Sequence, residues 1–396
     1  MKRLASPLLL LGLLLTATLL LKSIGCGRVV EEDNSSTTTT STTTTSTSTT
    51  TTLPGRISGT ITWPQFNDVP LPGVIASLNG TTQTTTCDVN GQFSFTELPS
   101  GTYSVSFAQT GWIFYPSSES VTIGSDTITQ NATAELDGWH VIPTGTTDNL
   151  NAIGYDGNHF LIGGDNGALL YSSDSGATWT NYSYGSGTGN YEYPTSESIG
   201  LATVTNSTPT FAIGEKNGNL RSWDGTQWIN SFLGQDQAPI PFINAASDNN
   251  YYLVSNDNKL FRSPDLINTT ELFPGLEVIG IYAVDTDNDD IDELFVVGKN
   301  GWFNKSNDDN GASWQTAEQL ANLTDDLQGI SFGDAAGDTV GFIVTAQGNI
   351  LWSITHGSYW GIRVKGLPVS LNGILITNEN PNVTYICGDD GLLLTK

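Results

Sequence analysis

From about residue 56 to the end, the chain alternates polar and apolar residues in short bursts. "GQFSFTEL" (91–98) and "TYSVSF" (102–107) place every second side chain on the same face of an extended chain. Such bursts end at Asn-Gly, Asp or Gly and restart a few residues on. Beyond the N-terminus, no long stretch has apolar residues at the i, i+3, i+4, i+7 spacing of an amphipathic helix. The pattern predicts an all-β chain of many short strands joined by tight turns.

The second half of the chain repeats. Six segments begin with a similar tetrad: "LNAI" at Leu150, "SIGL" at Ser198, "INAA" at Ile243, "VIGI" at Val278, "LQGI" at Leu327 and "LNGI" at Leu371. The starts are 48, 45, 35, 49 and 44 residues apart. The third position is always small: Ala152, Gly200, Ala245, Gly280, Gly329 and Gly373. A second strand follows each tetrad, then a turn such as "DNG", "KNG" or "DDG", then a third strand. Units of this length with four strands each predict the blades of a six-bladed propeller over residues 137–396. Small residues belong on innermost strands, where blades crowd together at the axis. The last unit ends at "GLLLTK" without a fourth strand, and "GWHVIPTGTT" before the first unit looks like a lone fourth strand. The N-terminal strand is therefore expected to complete the sixth blade and leave no exposed edge.

Residues 56–136 predict a separate, small β-sandwich. Asp88, Gly91, Phe93, Phe95, Leu98, Gly101, Tyr103 and Val105 follow the order D-x-x-G-x-F-x-F, L-x-x-G-x-Y-x-V. This resembles the carboxypeptidase regulatory-like, transthyretin-like fold. The resemblance implies a spacer or adhesion unit without a catalytic site.

The first 25 residues form a different class of segment. Lys2 and Arg3 precede a leucine-rich run that ends in "SIGC", Ser23 to Cys26. This reads as a bacterial export signal. It resembles a lipobox, in which Cys26 becomes the acylated first residue of the mature chain. Gly27 stands where an inner-membrane retention Asp would sit, so the resemblance implies an outer-membrane or cell-surface lipoprotein. An uncleaved signal anchor is the alternative. Residues 26–55 form a stalk, of which Ser35 to Thr52 are eighteen consecutive Ser or Thr. Such a run cannot bury enough apolar area to offset its chain entropy and is expected to be disordered.

Charge narrows the partners. The chain carries 14 basic and 40 acidic side chains, a net charge of −26. Cleavage before Cys26 removes Lys2, Arg3 and Lys22 and takes the balance to −29. A surface this acidic repels phosphate backbones, which argues against nucleic acid. Beyond Cys26, only Cys87 and Cys387 remain, in different segments; buried free thiols are expected.

The candidate chemistry starts at "SSDSGATW". Ser172, Asp174, Gly176 and Trp179 resemble the Asp-box of BNR and sialidase-type propellers. A second box, "NDDNGASW", keeps Asp309, Gly311 and Trp314 with Asn307 in the serine slot. "SITHGSYW" keeps Ser353, Gly357 and Trp360 but has Thr355 for Asp. Short polar side chains here can bond the amides of their own hairpin, and Trp can pack between blades, so the boxes are read as fasteners. The chain is similar in this to the photosystem II assembly-factor group as well. A sialidase grips its substrate's carboxylate with three arginines. The propeller offers only Arg221, Arg262 and Arg363, the first two on third strands away from the axis, so catalysis is not expected.

Two loops remain. "VDTDNDDIDELF" alternates Asp285, Asp287 and Asp289, with the Ile291 carbonyl and Glu293 beyond. Ca²⁺ takes six to eight oxygens, and this spacing can aim several at one point. The stretch resembles the calcium loop of integrin-type blades, which implies a structural Ca²⁺. "NYEYP" carries Tyr191 and Tyr193, candidates for stacking on a sugar ring. The reading these features support is a non-enzymatic cell-envelope lipoprotein, membrane-tethered, whose propeller binds a protein or glycan. A sialidase-like hydrolase and a purely structural surface protein are the alternatives.

Overall fold

A computed structural model describes residues 54–181, 198–203, 211–215, 219–223, 228–232, 242–245, 250–255, 257–264, 268–284, 293–308, 311–320, 323–335, 338–377 and 382–396. All regular structure there is β, apart from single turns of 3₁₀ helix.

The sandwich is organised by its first strand, Gly55–Trp63, which starts one residue inside the segment assigned to the stalk. Its first half pairs with Gln92–Leu98 and Thr127–Thr129; its second half pairs with Val69–Pro70 and Ala132–Leu136. Trp112–Tyr115 extends that sheet beyond Ala132–Leu136. The facing sheet runs in the order Thr84–Thr86, Ile75–Asn79, Gly101–Ala108, Ser118–Ile123. Alternate residues point inward, as the period-two pattern requires. Ile57, Ile61 and Trp63 are fully buried, and the Phe93, Phe107 and Phe114 rings form a chain with centroids 5.3 and 6.0 Å apart. The Asp88 carboxylate fastens the turn of its motif by accepting the Asn90 and Gln92 amides at 2.9 and 2.8 Å. The Tyr103 hydroxyl donates to the Pro99 carbonyl at 2.8 Å.

Six four-stranded antiparallel sheets follow among the described residues. Their innermost strands are Leu150–Tyr155, Ser198–Thr203, Phe242–Ala245, Val278–Val284, Leu327–Ala335 and Leu371–Ile376. We number the blades one to six in that order. Each innermost strand neighbours the next, and the sixth neighbours the first, so the sheets form a closed ring. His140–Val141 pairs with Leu393–Thr395 as the fourth strand of blade six, which joins the two ends of the propeller segment.

The small third residue of each tetrad has a geometric cause. A Cβ on Gly280 would lie 3.0 Å from the Gln328 carbonyl of blade five. One on Gly373 would lie 2.8 Å from Cys387 Sγ and 3.1 Å from Ala152 Cα of blade one. Side chains there would push the blades apart. The same tetrads carry a β-bulge in five blades, for example between Leu150 and Ala152 and between Leu371 and Gly373. The repeat in sequence is thus a repeat in backbone detail.

The sandwich is not a loosely strung bead. One hydrophobic core runs from Ile57 and Trp63 through Trp112 and Trp139 to Phe342, Val364 and Leu394 of the propeller. The 109–112 turn of the sandwich seats on the far end of the outer strand of blade five (Gly361–Val364), at Arg363 and Val364. The Lys365 carbonyl just beyond that strand accepts from Gln109 Nε2 at 2.7 Å and from Trp112 Nε1 at 3.0 Å. The Lys365 amide donates to the Thr110 carbonyl at 3.0 Å. Gly111 has φ +82°, and a Cβ there would lie 2.7 Å from the Arg363 carbonyl.

Candidate functional site

The Asp-boxes sit in the hairpins between third and fourth strands, at the blade periphery. In blade one, Asp174 accepts from the Thr178 hydroxyl and amide at 2.5 and 2.9 Å and from the Ser172 hydroxyl at 2.8 Å. These donors, the Thr178 hydroxyl foremost, hold its carboxyl below the usual carboxylate value. Ser172 accepts the Gly176 amide at 3.0 Å, and Trp179 Nε1 donates to the Gly176 carbonyl at 3.1 Å. The hairpin then leans on blade six, where the Tyr385 hydroxyl donates to the Ser175 carbonyl.

In blade four, Asp308 accepts the Ala312 and Ser313 amides, at 2.8 and 3.0 Å, and the Ser313 hydroxyl. Buried Ser306, rather than Asn307, fills the serine slot and accepts the Leu294 amide at 2.8 Å. Counted from Ser306 to Trp314, the box is one residue longer than in blade one, and Asp309 lies outside the described residues. Gly311 and Trp314 stand where expected, with Trp314 Nε1 donating to the Gly311 carbonyl at 2.9 Å. Blade five substitutes Thr355, whose hydroxyl accepts the Tyr359 amide at 2.8 Å.

The other carboxylates near the inner strands are also engaged. Asp165 accepts from Asn149 and Asn151, Asp389 from Asn372, and buried Asp325 from Asn349. Glu293 pairs with Lys305 at 2.8 Å, and Lys305 also lies 4.9 Å over the Phe295 ring. Asp285, Asp287, Asp289, Ile291, Tyr191, Tyr193 and Cys26 lie outside the described residues. Arg221 and Arg262 are on the third strands of blades two and three. Arg363 is on the outer strand of blade five, where it pairs with Asp137 at 3.3 Å.

Residues 56–136 match the carboxypeptidase regulatory-like domain family. The fasteners at Asp88 and Tyr103 fall on that family's motif positions as read from the sequence. No curated protein sequence matches the chain. Among solved structures, the chain is similar to YCF48 bound to D1 peptide, with a TM-score of 0.43 and 16% identity over 65% of this chain and 94% of that one. It is also similar to YCF48 from Cyanidioschyzon merolae, with a TM-score of 0.42 and 15% identity over 65% of this chain and 98% of that one. The carboxypeptidase regulatory-like domain contributes Cys87, buried in its core, whose thiol desolvation pushes up to about 11. Cys387 in blade six is fully buried and pushed up to about 12 by the same cause. Both are free thiols, as expected from the sequence.

One surface was not marked by any motif. On blade five, Trp352 is 38% exposed, Ile354 57% and Tyr359 72%. A Cβ on Gly361 would lie 3.5 Å from the Trp352 ring and 3.9 Å from the Tyr359 ring, so the two rings meet over this glycine. A comparison of box with box supplies the missed signal. Tyr359 stands where blade one has Thr178 and blade four has Ser313, immediately before the box tryptophan. Trp352 and Ile354 stand where blade one has Tyr171 and Ser173.

Proposed function

We propose that the chain is a non-enzymatic cell-envelope binding protein. Acyl chains on Cys26 hold it to the membrane, the Ser/Thr stalk carries it outward, and the propeller binds a protein or glycan partner. The observation that carries this reading is the use made of its charged groups. The carboxylates described above are each held by an amide, hydroxyl, lysine or arginine of the fold. The three propeller arginines sit on third or fourth strands, away from the innermost strands that line the axis, and Arg363 is paired with Asp137. A hydrolase needs a convergent acid, nucleophile and anion clamp, and these residues are arranged as fasteners.

Two measurements test this reading. Fatty-acid labelling in a bacterial host is expected to mark the wild-type chain and not Cys26→Ser; equal labelling of both would remove the anchor. Turnover on a panel of glycosides is expected to be absent; release of product above the buffer rate would restore the sialidase-like alternative. Tyr191 and Tyr193 would add stacking surface from the 190–194 loop.

The 285–293 loop is proposed as a structural Ca²⁺ site resting on Asp285, Asp287, Asp289 and the Ile291 carbonyl. Glu293 fits that set poorly, because its carboxylate already pairs with Lys305. Millimolar Ca²⁺ is expected to raise the melting temperature, and an unchanged melting curve would remove the metal.

A further inference from the structure

We propose that the outer surface of blade five, between Trp352 and Tyr359, is a binding site for a neutral sugar ring of a glycan. This deepens the binding reading above and rests on it. Three observations converge. First, the two exposed rings converge on half-buried Gly361: a Cβ there would touch Trp352 at 3.5 Å and Tyr359 at 3.9 Å, so with no side chain between them they form one continuous aromatic surface. The apolar C–H face of a pyranose can lie against such a surface.

Second, the surface is a departure from the protein's own repeat. In blade one the Thr178 hydroxyl and amide hold Asp174. In blade four Ser313 does the same for Asp308. Blade five has replaced the carboxylate with Thr355, which takes the backbone amide of Tyr359 and leaves the phenol ring out in solvent. Ile354 and Trp352 join it where blade one has Ser173 and Tyr171. The hairpin keeps its Ser353 bond to the Gly357 amide at 3.1 Å, and Trp360 stays buried against the Phe303 and Phe332 rings, although its Nε1 lacks the glycine-carbonyl bond that Trp179 and Trp314 make. Fold maintenance therefore gives no reason for these exposed apolar side chains.

Third, size and charge select the occupant. The exposed parts of the two rings amount to about 250 Å². That is well below the roughly 800 Å² each partner buries in a standard protein interface. It suits one or two sugar rings. The chain's net charge of −26 disfavours acidic glycans, and Arg363, two residues along the strand from Gly361, is already paired with Asp137, so a neutral glycan is favoured.

The test uses the full chain in detergent with three neutral hexasaccharides as probes: β-1,4-linked glucose, β-1,4-linked N-acetylglucosamine and β-1,4-linked mannose. Binding is read by calorimetry and by tryptophan fluorescence. Wild type is expected to bind at least one probe. Trp352→Ala, Tyr359→Ala and Gly361→Val are each expected to weaken it about tenfold or more. Gly361→Val inserts a branched side chain between the two rings without creating a cavity, and Tyr359→Ala removes a side chain that is 72% exposed, so melting curves of these two variants matching wild type confirm folding. Binding that survives all three variants places the glycan elsewhere and overturns this site while sparing the broader binding reading. Failure of all three probes overturns the site too. Capture of an envelope protein equally by wild type and variants would then show that the broader reading stands without it.

Discussion

The Tyr385 hydroxyl of blade six donates a 3.0 Å hydrogen bond to the Ser175 carbonyl of blade one. It crosses the seam where the last blade meets the first, 210 residues apart in the chain. The Tyr385 ring packs on Phe160 at 4.8 Å, and Gly176 closes over the hydroxyl, with a would-be Cβ only 2.6 Å away. Equivalent contacts recur elsewhere: Gly357 of blade five lies against Phe295 of blade four, and Gly311 of blade four against Leu272 of blade three. Each box fastens its blade to the preceding one.

Two substitutions at the seam should differ in severity. Tyr385→Phe keeps the ring and loses one hydrogen bond, so a destabilisation of about 1 kcal/mol is expected. Gly176→Ala forces a methyl into the hydroxyl at φ +78° and is expected to cost about 2–3 kcal/mol. Urea unfolding of the three proteins checks the order, and equal midpoints would show that the box does not hold the seam.

Acid should reach the blade-one box through Asp174. Its folded-state carboxyl titrates below the usual 3.8 because the Thr178 hydroxyl, its amide and Ser172 stabilise the charged form. A depressed pKa contributes stability that is present above 3.8 and is lost as the pH falls through the folded value. Asp174→Asn is therefore expected to melt lower at pH 7 and to converge with wild type as the pH falls below 3.8 and through the depressed folded-state value. Parallel melting curves across that range would exclude the carboxylate as the box's contributor.

The two buried thiols offer a chemical readout of the fold. With desolvation holding Cys87 and Cys387 at about 11 and 12, neither supplies thiolate at pH 8. A thiol reagent is expected to leave both unmodified in the native chain and to label both in denaturant. Fast labelling of the native chain at Cys387 would mean that blade six opens locally.

The docking of sandwich on propeller predicts a single unfolding transition for both. Gly111→Val places a side chain against the Arg363 carbonyl at a positive φ and should separate the two. Calorimetry of this variant is expected to show two transitions where wild type shows one. One transition in both proteins would mean that the shared core alone couples them.

The repeat that defines the propeller was legible because blades meet in the same way each time. The tiny third residue at Gly280, Gly329 and Gly373 is demanded by the neighbouring blade, so it survives as a sequence period. Likewise, the unfinished last unit and the surplus strand at His140 identified the closure. In blade four the Gly-x-x-Trp anchor points to Asp309 but does not report the length of the loop before it, and Asp308 also takes amides of the hairpin. Asp308 is set by which carboxylate the turn aims at the Ala312 and Ser313 amides.

Sequence alone determined the strand content, the small sandwich, the six units and their closure, because alternation, turn residues and repeat spacing are local properties. Tertiary structure decided what those units do to one another. That the sandwich shares a core with the propeller, that Arg363 faces Asp137, and that Trp352 and Tyr359 flank Gly361 all depend on residues distant in the chain or turned outward by a hairpin. No local period encodes them, because each arises once, where two surfaces happen to meet.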